Sequence, residues 1–212
     1  MTSIWGPLGW MTLHSIATCY PEKPSQSEKD LMYSWLDMFR DTITCPHCRE
    51  HFGNMLQTYR SKFPNMLGSR QEFAMFTFRA HNAVNRRLRK PLQSTLGECM
   101  TTLQNNVKSR SAANYRVSYL EHIQKYWRSW QDVTGIVALK KINEMRKIEA
   151  TYVQPRDSNF NVTLVADVVV LPQDAIEPRE GPVEARPMTA LPSGQAGIRT
   201  GFRITANGLR LR

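Results

Sequence analysis

The chain has 212 residues, 41% hydrophobic and 22% charged, with a net charge of +10. This is a globular composition, long enough for one buried core with an appendage or for two small domains, and its four cysteines are too few for a disulfide-scaffolded mini-protein. No stretch approaches the roughly 18 apolar residues of a membrane span, and Met1 to Pro7 carry neither the basic nor the apolar region of a secretory signal, so neither is expected.

Residues 1–110 read as mostly helical. Pro7 suits the first turn of a helix running to about Tyr20, which Pro21 closes. Ser25 or Ser27 can cap a second helix, with Leu31, Trp35, Leu36 and Phe39 at helical spacing and an end near Thr42. A third starts at Cys45 with Pro46 in its first turn and reaches about Arg60. Ser69 opens a fourth, with Phe73, Phe76, Ala80, Val84 and Leu88 along one side, ending before Pro91. Four helices joined by short loops predict an antiparallel bundle. A shorter helical stretch follows from Thr95 to Lys108. Residues 111–152 hold Tyr119, Ile123, Tyr126, Trp127 and Trp130 at helical intervals, predicting one or two further helices of unassigned role. From 153 onward proline and glycine become frequent, which predicts an extended or disordered tail. Val162 to Leu171 is β-branched enough for a strand, but an isolated strand cannot support itself.

Three constellations carry chemistry. In Cys45-Pro46-His47-Cys48, two cysteines three apart at a helix start can close a reducible disulfide, and the helix N-terminus favours a thiolate. His47 and Arg49 add positive potential. Taken by themselves, these residues also fit three rival chemistries. Cys45, Cys48 and His51 could hold zinc with Cys99 as a fourth ligand, although the second short ligand pair of structural zinc sites is missing. A thioredoxin-like site would need a strand before the cysteines, where an amphipathic helix stands instead. Two ordinary reduced thiols complete the set. The second constellation, Trp10, His14 and Ala17, shares one face of the first helix and suits a flat aromatic ligand as well as a packed core. The third, His81-Asn82 with Asn85 and Leu88, puts polar groups on a bundle helix, followed by Arg86-Arg87-Leu88-Arg89-Lys90. That basic run could meet a pyrophosphate or form a solvated face; general nucleic-acid binding is the less favoured reading of the net charge.

In this order the motifs resemble the Erv/ALR family of FAD-linked sulfhydryl oxidases: Trp5-Gly6-Pro7, Trp10, Leu13-His14, Ala17 and Tyr20-Pro21, then Cys45/Cys48, then His81-Asn82, Val84-Asn85, Leu88 and Lys90-Pro91. The match covers about residues 4 to 100. The resemblance implies an all-α four-helix bundle with a short fifth helix over 1–110, holding FAD. It implies cofactor contacts at Gly6, Trp10, His14, Tyr20, His51, His81, Asn82, Asn85 and Lys90, with no resident metal. It also implies a homodimer and a reaction order in which a protein dithiol attacks Cys45, Cys48 passes electrons to FAD, and dioxygen becomes hydrogen peroxide. The second cysteine pair that many members use as a shuttle is missing; Cys19 and Cys99 read as a structural bridge or two spare buried thiols, with a shuttle role as the less favoured reading. Trp127 and Trp130 are similar to an aromatic pair in some members, but stand too far from Pro91 for a residue-by-residue match. The compact form resembles members encoded by large DNA viruses, which implies the cytosol of an infected cell or a virion, with the mitochondrial intermembrane space as rival location.

Overall fold

Helix boundaries follow the capping residues that the sequence offers. The computed structural model describes residues 2–160; the β-branched run 162–171 and the rest of the tail lie outside the described residues. Seven α-helices are present among the described residues: α1 (Thr2–Cys19), α2 (Gln26–Thr42), α3 (Pro46–Lys62), α4 (Arg70–Arg87), α5 (Leu96–Ser109), α6 (Ala112–Arg128) and α7 (Val133–Ile148). No strand occurs among the described residues, and none of the described helices is long and apolar enough to cross a membrane. Ser25 and Glu28 form a reciprocal capping box on α2; Ser69, Thr95, Ser111 and Asp132 each accept from the backbone N–H three residues on.

Helix α1 starts before Pro7, earlier than the proline suggests. A proline six residues into a helix forfeits a single intrahelical bond, because the first four N–H groups have no partner in any case. Helix α4 ends in a Schellman turn: Lys90 N–H donates to Asn85 O and Arg89 N–H to Arg86 O, with Arg89 at φ 53° in the left-handed region where glycine is usual. That turn carries Leu88 off the apolar stripe predicted for it, leaving it 54% exposed.

The helices contact one another in a closed cycle, α1 to α4 to α3 to α2 to α7 to α6 and back to α1, with α5 against α1 and α4. Residues 111–152 therefore do more than follow the bundle: α6 lies along α1, α7 along α2, and Tyr119, Ile123, Trp127, Ile142 and Met145 join the same buried core as Phe39 and Leu13. The α6–α7 turn is tight. A Cβ on Gly135 would lie 2.2 Å from Trp130 O, so this close approach requires glycine.

Past α7 the chain continues as a π-helical turn (Glu149–Val153) and a 3₁₀ segment (Gln154–Asn159), helical where the prolines suggest extended chain. Pro155 fits the start of the 3₁₀ segment, and a buried ion cluster holds it. Arg116 of α6, fully buried, donates through Nε to Glu149 (2.9 Å) and through Nη2 to Asp157 (2.7 Å), with Ser15 Oγ of α1 at 3.4 Å from Nη1. Removing the cation would strand a buried carboxylate. Arg116→Ala should therefore cost about 3–5 kcal/mol in chemical denaturation, and a loss below ~1 kcal/mol would show that the cluster does not anchor these elements.

Candidate functional site

Cys45 and Cys48 are joined as a disulfide, their Cα atoms 5.2 Å apart, at the N-terminus of α3. Cys45 is itself the N-cap: its sulfur accepts from Cys48 N–H at 3.3 Å, and Pro46 occupies the first turn. The two sulfurs head different stripes of α3. Cys48 precedes Phe52, Met55 and Tyr59, all buried, and packs against the core; Cys45 precedes Arg49, Gly53 and Gln57 on the more exposed side.

The start of α3 is braced by residues outside the bundle motifs. Trp127 Nε1–H of α6 donates to Thr42 O (2.9 Å), the last residue of α2, and the Arg49 guanidinium lies 5.5 Å from the centre of the Trp127 ring. Thr42 Oγ–H also meets Met145 Sδ of α7, and Asp41 pairs with Lys141. Arg87, in the last turn of α4, hydrogen-bonds His47 between the two cysteines. The disulfide thus sits at the end of the molecule where α4 finishes.

Trp10 and His14 of α1 meet His81 of α4. The Trp10 and His81 rings stack at 4.3 Å and 10°, His14 Nε2 lies 3.0 Å from His81 Nδ1, and His14 Nδ1 lies 3.0 Å from Thr77 Oγ1. One hydroxyl sets the proton positions along this chain. Thr77 Oγ–H donates to Ala74 O at 2.9 Å, so its oxygen accepts from His14 Nδ1–H. His14 Nε2 is then an acceptor for the hydrogen bond that His81 Nδ1–H donates, which leaves His81 Nε2 as the terminal acceptor. Burial first, then the neighbouring His81, holds the His14 pKa well below the ordinary histidine value; burial and then Lys90 bring His81 to about 4. Both rings are neutral at physiological pH.

The other predicted contacts are placed less uniformly. Asn82 gives both ends of its amide to one residue, donating to Gln93 O (2.9 Å) and accepting from Gln93 N–H (3.0 Å), and so staples the α4–α5 loop. Gln93 Oε1 is buried with no hydrogen-bond partner. Asn85 and His51 are half-buried, Lys90 is exposed, and Gly6 is half-buried with open space where a side chain would stand. Tyr20 is buried at the far end of α1, its hydroxyl donating to Leu67 O and its ring edge-on to Phe73, among core residues and away from Trp10.

Cys19 and Cys99 are buried free thiols and do not bridge. Cys19 faces Asp157 at 3.7 Å, while Cys99 lies 3.8 Å from both ring nitrogens of His14; burial pushes each thiol up to about 12, so neither supplies a thiolate at neutral pH. The zinc alternative finds no ligand set: Cys45 and Cys48 are bonded to each other, Cys99 belongs to the His14 cluster, and no group of three potential ligands occurs among the described residues. Thr77 and Gln93 take part in this arrangement and were missed by motif reading, while Trp127, singled out there as part of an aromatic pair, braces the start of α3. Thr77 carries a signal, standing four before His81 as Trp10 stands four before His14.

These features define a class: an all-α protein with a reducible disulfide at a helix N-terminus and a wall of stacked, neutral aromatic rings between α1 and α4. The chain belongs to the Erv1 / Alr family, whose model matches residues 8–108. It is 36% identical over 90 residues to the FAD-linked sulfhydryl oxidase of African swine fever virus, covering 42% of this chain and 72% of that protein. A "probable FAD-linked sulfhydryl oxidase" of Acanthamoeba polyphaga mimivirus is 26% identical over 140 residues, 66% of this chain and 96% of the relative. The mitochondrial FAD-linked sulfhydryl oxidase of Saccharomyces cerevisiae is 34% identical over 86 residues, 41% of this chain and 43% of the relative. No solved structure matches the chain.

The histidine pair makes stability depend on pH with a defined sign. The unfolded chain takes up a proton on His81 near 6.5 and the folded one only near 4, so stability falls as pH drops through that interval. Between neutral pH and pH 4 the wild type should lose up to about 3 kcal/mol more than His81→Gln in denaturant titrations. Parallel curves for the two proteins would contradict a neutral, buried His81.

Proposed function

We propose that this chain is an FAD-dependent thiol oxidase that forms disulfides in protein substrates. The observation that carries the reading is the Cys45–Cys48 disulfide at the start of α3, beside the end of α4 that carries His81, in a chain of the Erv1 / Alr family. The residues fit the cofactor. The Trp10–His81 stack, open space at Gly6, the unpaired acceptor Gln93 Oε1 and the terminal acceptor His81 Nε2 suit a planar ring system bearing N–H groups. Arg86, Arg89 and Lys90 suit a pyrophosphate. Trp10, His14, His81, Asn85 and Lys90 would hold it, while Asn82 shapes the loop that carries Lys90.

A substrate thiolate attacks Cys45 Sγ, breaking the Cys45–Cys48 bond and releasing Cys48 as a thiolate, which the α3 N-terminus stabilises. The second substrate thiolate attacks its own partner in the mixed disulfide, so the substrate leaves oxidised and the Cys45/Cys48 pair holds two electrons. The stripe positions support this order: Cys45 heads the exposed side and Cys48 the side packed on the core. Bound FAD supplies the two-electron acceptor that returns the pair to the disulfide, with dioxygen as terminal oxidant and hydrogen peroxide as product. The two neutral imidazoles hold their protons along a fixed hydrogen-bond chain and keep the wall rigid.

Electrons enter at Cys45 directly, since both remaining cysteines are buried thiols of raised pKa. Viral relatives support a cytosolic or virion location over the mitochondrial one.

The purified protein should be yellow, and adding a dithiol should consume oxygen and produce peroxide. Cys48→Ser should keep the colour and lose at least about 10³-fold in turnover, the scale expected when a covalent relay is removed. A folded, colourless protein that takes up no added FAD would overturn the reading, as would undiminished turnover in the variant.

A further inference from the structure

A groove of about 540 Å³ opens along α2 and α3, separate from the Trp10–His81 wall, and its position relative to the disulfide suggests what it binds. On α3 it is lined by Arg49, Gly53, Gln57 and Arg60, and across from them by Arg40 of α2. These α3 residues continue the stripe that Cys45 heads, each about one helical turn beyond the last. The groove therefore starts one turn past the sulfur that meets substrate.

Its lining is cationic. Three arginines face one carboxylate, Glu50, with the neutral Asn54 beside it. The acids that hold the arginines in place do not line the groove. Arg40 is tied to Asp41 (2.7 Å) and Asp37 (3.2 Å), Arg60 to Asp37 (2.9 Å) and Tyr33 O (3.2 Å), and Arg49 to Asp41 O and the Trp127 ring. Each guanidinium has five N–H donors, so this anchoring leaves others unused, and Arg60 Nε is buried with no partner at all. The N–H donors left over on these anchored guanidiniums can meet the oxygens of an anion. Gly53 keeps the groove open: a Cβ there would press on Arg40 Cδ at 3.1 Å.

We infer that this groove is the substrate-docking surface and that it selects protein dithiols with acidic residues flanking the reacting cysteine. From Arg49 to Arg60 the helix rises about 16 Å, which an extended segment of about five residues spans. The carboxylates of such a segment meet the arginine N–H groups while its cysteine reaches Cys45. Because the groove lies outside the cofactor wall, it governs which dithiols arrive and leaves the electron path unchanged. The inference rests on the thiol-oxidase reading and deepens it by naming the substrate class.

The test compares two peptides of equal length, each with one C-x-x-C, flanked over five residues by Glu in one and by Lys in the other; dithiothreitol serves as an uncharged dithiol. At low ionic strength kcat/KM for the Glu peptide should exceed that for the Lys peptide at least about 10-fold, and the gap should close as salt rises. Asn54→Glu/Gln57→Glu, which adds two negative charges to the exposed lining, should shrink the gap several-fold and leave dithiothreitol turnover and the flavin spectrum unchanged. Equal kcat/KM for the two peptides, or a gap that the double variant does not alter, overturns the inference. Loss of dithiothreitol turnover in the wild type would instead strike the oxidase reading. Fluorescence anisotropy with cysteine-free versions of the peptides reads the groove without turnover: tighter binding of the Glu peptide is expected, and equal binding of both, or of the Glu peptide and a single-stranded oligonucleotide, contradicts a peptide-selective site.

Discussion

Helix α1 is buried over its whole second half, and two of the polar side chains it takes inside, His14 and Ser15, meet partners in other helices. Those contacts organise both sides of the molecule. Toward α4, His14 is satisfied by Thr77 and His81, and the chain of donors that results fixes two neutral imidazoles beside Trp10. Toward α6 and the 3₁₀ segment, Ser15 meets Arg116 and Cys19 meets Asp157, so the same helix is locked to residues more than ninety positions away. A single helix thus carries the aromatic wall on one face and the anchor of the C-terminal helices on the other.

Helix α3 solves a second problem, that of setting two half-buried sulfurs on different stripes, with Cys48 packed against the core. A spacing of three puts Cys45 at the cap and Cys48 one turn in, and the residues that follow each sulfur continue its environment along the helix. The cap alone would be a loose support. Trp127, Thr42 and Arg49 tie it to α6 and α2, and Arg87 ties it to the end of α4. Helices α6 and α7 contribute here as structure: they close the cycle of helices and brace the turn that bears the disulfide.

Most of the helix plan is legible in the sequence because capping is local. Ser25, Ser69 and Thr95, each followed three residues later by Glu, announce helix starts whatever the tertiary setting, and Cys45-Pro46 does the same for α3. The pairing of Trp10/His14 with His81 is legible as well, since residues four apart share a face on each helix. Other features depend on information that periodicity lacks. An apolar stripe in residues 111–152 says that α6 and α7 bury a face, and says nothing of which helix receives it. Leu88 keeps helical spacing yet is turned outward by the Schellman turn at Arg89. Asn82 reads as a ligand residue, and that its amide also matches the backbone of Gln93 is a contact across a loop that periodicity does not show. Arg116, Glu149 and Asp157 look like surface charges in sequence and become a buried cluster only when three elements meet. The arginines of the α2–α3 groove are likewise ordinary until Gly53 is seen to leave space between them.

In the proposed reaction, electrons from a dithiol reach a flavin held at the Trp10–His81 wall through Cys45 and Cys48. Anaerobic mixing of the purified protein with excess dithiol tests it most directly, with flavin absorbance and the state of the Cys45/Cys48 thiols followed together. The pair should be reduced, the visible flavin absorbance should bleach, and both should recover when air is admitted. Reduction of Cys45 and Cys48 while the flavin keeps its colour would contradict it.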